Sequence, residues 1–440
     1  MKVKLVGLLV VAIMAISFFA EAKIIRVPVD YLTIQEGIDA AVSGDQVVVA
    51  AGTYEENIVL KSGVDVLGAG ADVTKITSKL KIIYAEFVTS GVIDGFTIDA
   101  KGVDVESIFC AFSTLTISNN IITNQGVGVG ILCTDWANLT ITNNIITKQR
   151  VGIECSPANP IIQGNTIIGN STGVHCYDYA SPTIDNNSII DNGDYGIFCE
   201  GSESSLVISG NNITGNGQGV RCRLTSPNIY DNVIIDNGDG IRCVDSSNPA
   251  IKNNIISDNG RAGVACDGSA PWASSPAIRN NIISNNGHYG VSCSGDSSPD
   301  LGNGYNAIYG SGDYDIENTT QYTVIAEYNW WGQAPPFPSQ FYGKVDYDPW
   351  LEESPFPTTG SIIGIVTDTA GNPIKSAIVI AILGETKQKA FTDSDGWYEI
   401  LDLEPGIYWV LCIKKDYKAG IKKAEVIAGQ KTEVNFKLKK

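Results

Sequence analysis

The strongest constraint on this chain is a repeat of 20 to 27 residues that runs through its middle. Each copy contains Asn-Asn-Ile-Ile or a variant of it, as at residues 119–122, 143–146 and 280–283. A second motif, Gly-(Val or Ile)-x-Cys, recurs in the same period, as at residues 152–155 and 219–222. Strands this short bury no face alone, but stacked coils share one continuous core. The repeat therefore predicts a β-solenoid rather than a sandwich.

Other repeat architectures do not fit the pattern. Helical repeats need long stretches with a 3.6-residue apolar period, which this chain lacks. The Leu-x-x-Leu-x-Leu frame of leucine-rich repeats and the Gly-Gly-x-Gly-x-Asp nonapeptide of calcium-binding rolls are also missing. Short apolar runs between Asn-Gly turns favour an all-β chain.

One asparagine per period falls at the same corner of the predicted coil. Asparagine tolerates the left-handed backbone of such a corner, and its amide can bond both the turn backbone and the amide of the next coil. We therefore predict an asparagine ladder formed by Asn120, Asn144, Asn165, Asn187, Asn212, Asn232, Asn254 and Asn281.

Nine of the ten cysteines also recur once per period. The predicted column, or cysteine ladder, consists of Cys110, Cys133, Cys155, Cys176, Cys199, Cys222, Cys243, Cys266 and Cys293. Neighbouring strands lie about 4.8 Å apart, more than the roughly 3.8 Å between the Cβ atoms of a disulfide. We therefore expect free, buried thiols, with some bridged pairs or a metal site as alternatives.

The N-terminus has the features of a secretory signal peptide. Two lysines precede an apolar run that ends in Ala-Glu-Ala at residues 20–22, which predicts cleavage after Ala22. No later segment is long and apolar enough to span a membrane. We expect a monomer that is secreted, periplasmic or attached to the cell surface.

The charge distribution argues against a nucleic-acid partner. The chain carries a net charge of −18, whereas residues 360–440 hold 12 lysines against 10 acidic residues. The negative charge is thus concentrated on the preceding segment, which would repel a phosphate backbone.

Residues 33–41, 44–49 and 52–56 resemble the N-terminal cap and first coils of the pectin-lyase-like right-handed β-helix superfamily, which includes periplasmic proteins of the NosD type. The resemblance covers residues 24–351 and implies a right-handed parallel β-helix solenoid with an N-terminal capping helix. Ile34, Ile38 and Ala41 would form the apolar face of that helix, and Thr33 could cap it.

The last 81 residues, 360–440, form a separate unit in the sequence. Turn signals at Asp395-Gly396 and Pro405-Gly406 separate alternating strands. This segment resembles the carboxypeptidase regulatory-like, transthyretin-type domain, which implies a small seven-stranded β-sandwich without a catalytic set. We predict a signal peptide at 1–22, the β-helix at 23–351, a linker at 352–359 and the sandwich at 360–440.

The residues on either side of each core cysteine should point outward and line a groove along the solenoid. The candidate substrate-binding residues are Glu154, His175, Tyr177, Glu200, Arg221, Arg223 and Arg242. Two arginines on neighbouring rungs of an acidic domain, Arg221 and Arg242, are unfavourable unless an anion or carboxylate lies between them, which suggests a ligand patch. The alternative is that Glu200 pairs with Arg221 or Arg223 as ordinary surface electrostatics.

Three functions remain open. The favoured one is binding of a polysaccharide or cell-surface glycan along the groove, with processing as an option; an enzyme would be a polysaccharide lyase or a glycoside hydrolase. The calcium-carboxylate cluster and base arginine of lyases with this fold have no residue-by-residue counterpart in this chain. The alternatives are a non-enzymatic scaffold or adhesin and, with least support, a NosD-like metal-delivery factor.

No cofactor is expected. Weak calcium binding by Asp191, Asp236 and Asp258 is the one option, and these residues are otherwise interpreted as turn formers.

Overall fold

The structure is a computed structural model that describes residues 22–201, 205–268, 271–356 and 359–440. Residues 1–21 of the predicted signal peptide lie outside this part, so its cleavage stays a prediction. The described chain is nearly all β-structure, with one α-helix and one 3-10 helix, Pro338–Gln340. The predicted all-β class and right-handed parallel solenoid are confirmed.

The α-helix, Ile34–Ala40, closes the N-terminal end of the core. The Glu36 N–H donates to the Thr33 hydroxyl, and the Thr33 N–H donates to the Glu36 carboxylate, both at 3.2 Å. This reciprocal cap satisfies two N–H groups that a helix start otherwise leaves free. Ile34 and Ile38 are at most 1% exposed and pack in the same cluster as the first coils, as predicted.

Successive coils contribute strands to three parallel sheets. Over the described ranges, sheet one has twelve strands: Ile24–Val27, Gln46–Val49, Asp65–Gly68, Val92–Asp94, Thr116–Ser118, Thr140–Thr142, Ile161–Gln163, Thr183–Asp185, Val207–Ser209, Asn228–Tyr230, Ala250–Lys252 and Ala277–Arg279. Sheet two also has twelve there: Gly52–Glu55, Thr74–Thr77, Thr97–Asp99, Ile121–Thr123, Ile145–Thr147, Thr166–Ile168, Ser188–Ile190, Asn212–Thr214, Val233–Ile235, Ile255–Ser257, Ile282–Ser284 and Ala307–Tyr309.

Sheet three holds the longest strands of the solenoid. In the described part of the chain it has thirteen: Ile58–Val59, Ile83–Glu86, Glu106–Ala111, Val129–Thr134, Val151–Ser156, Thr172–Cys176, Tyr195–Glu200, Gln218–Arg223, Asp239–Val244, Ala262–Cys266, Tyr289–Cys293, Tyr314–Asn318 and Phe341–Tyr342. The pair Val324–Ile325 and Val345–Asp346 adds a short parallel ladder near the C-terminal end of the solenoid.

The core consists of stacked aliphatic side chains. In sheet one, Ile117 pairs with Ile141 and Ile141 with Ile162, and all three are fully buried. A one-residue register slip would turn such a column out to solvent, so the alternation of each strand fixes its pairing.

The corner between sheets one and two is held by the predicted asparagine ladder. Asn144 donates through Nδ2 to Ile117 O (2.8 Å) and to Asn165 Oδ1 (3.0 Å), and the same pattern repeats along the column. One predicted member is wrong: Asn212 lies exposed in a strand of sheet two, and Asn211 occupies the ladder position. The ladder also continues beyond the predicted members, through Asn306 and Asn329.

A second asparagine ladder holds the corner between sheets two and three. Asn192 Nδ2 donates to Ile167 O (3.2 Å) and to Asn216 Oδ1 (2.9 Å). Its buried members include Asn170, Asn192, Asn216, Asn237, Asn259 and Asn286. Asp191, Asp236 and Asp258, which precede three of them, have φ of 52°, 56° and 56°. These aspartates are therefore turn residues in the left-handed conformation.

The nine repeated cysteines lie on the inner side of sheet three. Each has 0% exposure, and neighbours such as Cys133 and Cys155, or Cys222 and Cys243, pair in register. Burial raises the pKa of the Cys110 thiol to about 12, so this group stays neutral. All ten cysteines are unbridged in the structure.

The C-terminal unit forms two small sheets around its own core. The described residues of this unit hold eight strands instead of the predicted seven: Gly360–Asp368, Ile378–Leu383, Thr386–Phe391, Trp397–Leu403, Gly406–Ile413, Gly420–Val426, Lys431–Glu433 and Phe436–Leu438. Tyr398 and Tyr408 are each 1% exposed, and the Tyr398 hydroxyl donates to Val434 O at 2.5 Å.

Candidate functional site

The outer surface of sheet three carries the candidate residues. In each strand the residue between the buried aliphatic side chain and the cysteine faces outward, because side chains alternate along a strand. These outward residues pair in register from coil to coil. We call them the central column, which comprises Glu154, His175, Phe198, Arg221 and Arg242.

His175 is enclosed by aromatic rings. Its imidazole stacks on Phe198 with ring centroids 4.8 Å apart and planes 2° from parallel, and it lies 4.8 Å from the Tyr177 ring. Burial lowers the pKa of His175, while Glu154 and Glu200 oppose that shift. Its buried Nε2 has no hydrogen-bond partner among the described residues. The imidazole is therefore neutral at neutral pH, and its Nε2 has an unused hydrogen-bonding capacity.

This burial predicts an acid-sensitive contribution to stability. The unfolded chain takes up a proton at His175 near pH 6.5, whereas the folded chain does so only at lower pH. Stability should therefore fall as the pH drops below about 6.5. His175→Phe preserves the ring stack and should lose less stability than wild type between pH 7.5 and 5. Denaturant midpoints across this range measure the difference, and parallel pH profiles would contradict it.

Tyr177 and Glu154 form a hydrogen-bonded pair beside His175. The Tyr177 hydroxyl donates to Glu154 Oε1 at 2.8 Å. Burial, together with this contact to Glu154, raises the pKa of Tyr177 to about 12. The phenol therefore remains a proton donor at neutral pH. A neutral imidazole and a protonated phenol thus lie side by side, which is the pairing that proton transfer requires.

Two of the three predicted arginines are neutralised by carboxylates. Arg223 contacts Glu200 at 2.6 Å and Asp245 at 2.9 Å. Arg242 contacts Asp267 at 2.7 Å and Asp239 at 3.2 Å. Glu200 thus forms an ion pair with Arg223, which is one of the two ordinary surface pairings considered from the sequence. No carboxylate bridges Arg221 and Arg242 within the described residues.

Arg221 differs from its neighbours. Its guanidinium carbon lies 5.6 Å from the Tyr195 ring centroid and 5.9 Å from that of Phe198. Its Nη1 donates to Gln218 Oε1 at 3.4 Å, and its buried Nε has no partner among the described residues. No ion pair involves Arg221 in that part of the chain. Its charge and most of its hydrogen-bond donors are therefore free for a ligand.

Tyr195 and Gln218, which position Arg221, were missed in the sequence. Both begin a strand of sheet three and pair in register one residue before the repeated glycine. Strand alternation would place this position on the inner face, because it lies three residues before the central column. In the structure it lies on the outer face, where the Tyr195 and Phe198 ring centroids are 5.0 Å apart. At that position the chain has Thr172, Tyr195, Gln218 and Asp239 in succession.

The described residues contain no group of three or more His, Cys, Asp or Glu side chains arranged to hold a metal ion. They also contain no helix with the length and apolar character of a membrane span. The second histidine, His288, lies elsewhere on sheet three's margin, where its Nδ1 is 2.7 Å from Asp313 Oδ2 in an exposed pair.

Among solved structures, the A-modules of the mannuronan C-5 epimerases AlgE6 and AlgE4 from Azotobacter vinelandii superpose on this chain with TM-scores of 0.57 and 0.56. Their sequence identities are 17% and 18%, and each alignment covers 73% of this chain and 94% of the module. The periplasmic alginate epimerase AlgG gives a TM-score of 0.51 at 14% identity, covering 68% of this chain and 78% of that structure. At such identities the likeness shows a shared fold.

Two sequence-family models match this chain. The model of the right-handed beta helix region matches residues 93–234 and, in an overlapping match, 158–320. The carboxypeptidase regulatory-like domain matches residues 361–439. Among curated proteins no sequence relative matches the chain. Because the first family covers residues 93–320, more than half of the 440 residues, the chain belongs to the right-handed beta helix family and carries a carboxypeptidase regulatory-like domain at its C-terminal end.

Proposed function

We propose that the outer face of sheet three binds a polysaccharide that runs along the axis of the solenoid. The observation that carries this proposal is Arg221, a guanidinium held against two aromatic rings on an acidic protein with no carboxylate partner in the described residues. Leaving a cation unpaired is unfavourable unless a ligand uses it. The planar guanidinium fork suits the paired oxygens of sugar hydroxyl or carboxylate groups.

The neighbouring groups suit a sugar chain as well. Along the central column, His175, Phe198 and Arg221 present an imidazole, an aromatic ring and a cation on successive rungs about 4.8 Å apart. Tyr177 and Glu154 add hydrogen-bonding groups beside them. The two epimerase modules and the alginate epimerase, whose names state that they act on mannuronan or alginate, share this fold and support a polysaccharide ligand.

Processing of the bound chain is a further part of the proposal. His175 as proton acceptor and Tyr177 as proton donor suit a proton-transfer step better than hydrolysis, which in most glycosidases uses two carboxyl groups on either side of the scissile bond. Glu154 already accepts a hydrogen bond from the Tyr177 hydroxyl and is the single carboxylate of the central column. The central column thus lacks the carboxyl pair of most glycosidases, and binding without cleavage is favoured over hydrolysis.

Export and calcium complete the proposal. Residues 1–22 would direct secretion and be removed, leaving a secreted, periplasmic or surface-attached protein. The C-terminal unit would act as an accessory domain. The binding assay is run in parallel with and without calcium, because weak calcium binding is part of the proposal.

The test is retention of residues 23–440 on immobilised polysaccharides, both acidic and neutral, together with release of new chain ends. Arg221→Ala should weaken retention about tenfold or more, because it removes a charge-assisted contact. Arg26→Ala is the control: it removes the same charge from an exposed position on sheet one. Absence of wild-type retention on every polymer, or equal retention of Arg221→Ala and wild type, would overturn the proposal.

A further inference from the structure

A row of exposed aromatic side chains lies along the turn that follows sheet three. Phe87, Phe112, Trp136 and Tyr179 have exposed fractions of 64%, 47%, 64% and 65%. Backbone hydrogen bonds place them on ordered rungs: Phe87 N–H donates to Ala111 O, Phe112 N–H to Asp135 O, and Trp136 N–H to Pro157 O. We call these four residues the aromatic edge. Phe112, Trp136 and Tyr179 follow a cysteine of the column by two or three residues, and Phe87 follows Ala85, which pairs with Cys110. None of the four was singled out from the sequence.

All four residues adopt a backbone conformation that side chains of their size avoid. Their φ angles are 58°, 48°, 62° and 66°, in the left-handed region. In bulky residues this conformation is a genuine outlier. Gly201, with φ 55°, lies two residues after Cys199 on the rung after Tyr179, at the position that Phe112 holds after Cys110. Glycine is thus compatible with this turn, yet the chain places aromatic rings there at a conformational cost, which points to a function for the rings.

The exposed apolar surface of the aromatic edge is long and narrow. It is one side chain wide and spans five rungs, roughly 19 Å at the strand spacing, with Pro157 on the rung between Trp136 and Tyr179. Leu224 continues it two rungs further, next to a cavity of about 320 Å³ lined by Leu224, Arg223, Asp245 and Trp272. A protein or membrane partner would favour a broad contiguous apolar surface. A narrow stripe parallel to the solenoid axis fits a linear polymer.

The rings of Trp136 and Tyr179 are open to stacking. Phe87 and Phe112 stack on each other with centroids 5.0 Å apart. Neither Trp136 nor Tyr179 contacts another ring within the described residues, so their faces are available to a ligand. Sugar rings have an apolar face of C–H groups that packs on an aromatic ring and a rim of hydroxyls that bonds to polar neighbours.

The charges beside the edge select among polymers. A carboxylate precedes three of the four rings: Glu86 before Phe87, Asp135 before Trp136, and Asp178 before Tyr179. None of these three carboxylates is paired with a cation among the described residues. A polymer with a carboxylate on each sugar would be repelled here, whereas a neutral polymer would not.

We propose that the aromatic edge is a stacking platform for a neutral polysaccharide, with Trp136 and Tyr179 as its main contacts. The inference rests on the proposed function and deepens it, because it names the polymer class and extends the binding surface from the central column onto the neighbouring turn. The hydroxyl rim of the sugars would then face Tyr177 and the free donors of Arg221.

The test exploits the backbone conformation. In the double variant Trp136→Gly and Tyr179→Gly, retention on a neutral glucan should fall about tenfold or more, since two ring contacts are lost. The thermal midpoint should stay the same or rise, because glycine adopts positive φ without strain. Tyr305→Gly is the matched control, since Tyr305 is also an exposed aromatic residue, 45% exposed with φ 48°, but lies at the corner between sheets one and two. Its retention should equal that of wild type.

The outcomes separate the two proposals. If wild type binds no polymer, the proposed function itself fails. If wild type binds and Arg221→Ala weakens binding, but the double variant binds like wild type, the aromatic edge is not the platform and the proposed function stands. Stronger binding of an acidic polymer than of a neutral one would overturn the assignment of polymer class. Weaker binding of Tyr305→Gly to the same extent as the double variant would also overturn the inference.

Discussion

Replacing Asn211 with alanine should lower the free energy of unfolding by about 3–5 kcal/mol, whereas the same change at the adjacent Asn212 should alter it by less than about 0.5 kcal/mol. Asn211 is 1% exposed, while Asn212 is an exposed strand residue. The two variants have identical composition and differ by one position, so they isolate the contribution of the ladder.

The size of the effect follows from the partners that Asn211 leaves behind. Its Nδ2 donates to Ile184 O (2.9 Å) and Asn232 Oδ1 (3.0 Å). Its Oδ1 accepts from the backbone N–H (2.9 Å) and from Nδ2 (3.0 Å) of Asn187. In Asn211→Ala buried groups on the preceding coil (Ile184 and Asn187) and on the following coil (Asn232) lose a partner. Each unsatisfied buried group costs about 1–3 kcal/mol.

Chemical denaturation gives the stability change, and hydrogen exchange locates it. The backbone amide of Asn187, which loses its acceptor, should exchange faster in Asn211→Ala, whereas that of Asn232, which donates to Asn254 Oδ1, should change less. Asn212→Ala should leave both amides protected. Equal destabilisation by the two variants would contradict the prediction, because it would mean that the hydrogen bonds of the ladder amide add nothing to stability.

The Asn211 and Asn212 pair also shows where the sequence misled. The ladder residue lies two positions before the buried isoleucine of sheet two: Asn120 before Ile122 and Asn187 before Ile189. In several coils an asparagine at positive φ precedes the ladder residue, as Asn186 does with φ 52°. At residues 210–212 that first position is Gly210, with φ 62°, so the Asn-Asn motif is shifted by one residue.

The fold was predictable because periodic chemistry dictates it. Each coil repeats a buried aliphatic pair, a corner asparagine and an inward cysteine, and strand alternation then places the outward column that includes His175 and Arg221. The N-terminal capping helix was equally predictable, since Thr33 and Glu36 have the spacing of a reciprocal capping pair.

The site was less predictable, because its interactions cross coils and use long side chains. Arg242 reaches Asp267, which follows the next strand of sheet three, and Asp239, at the start of its own strand. Arg223 reaches carboxylates on both adjacent coils. Which arginine remains unpaired therefore depends on rotamers, not on strand register. The aromatic edge lies in turns of unequal length, where the period offers no alignment.

Gly219→Ala should destabilise the solenoid by about 1–3 kcal/mol, although alanine is the smallest possible side chain. A Cβ at Gly219 would lie 2.6 Å from Gly240 O and 2.9 Å from Ile234 Cγ2. The backbone of the next coil and a core isoleucine leave no room, and neither is the end of a flexible polar side chain. The glycine of the repeated Gly-(Val or Ile)-x-Cys motif is thus required for close packing between coils, not for an unusual φ.

Gly193→Ala is the matched control for this prediction. The nearest atom to a Cβ at Gly193 is Asn170 O at 3.9 Å, and its φ lies outside the left-handed region. Alanine there restricts the unfolded chain without a clash, so stability should stay the same or rise by up to about 1 kcal/mol. Guanidinium denaturation of the two variants measures the contrast. Gly219 precedes Arg221 by two residues, so Gly219→Ala should also weaken polymer retention by displacing the strand that presents the guanidinium. Gly193→Ala should retain the polymer as wild type does. Wild-type stability of Gly219→Ala would contradict the prediction, because it would show that the coils can separate without cost.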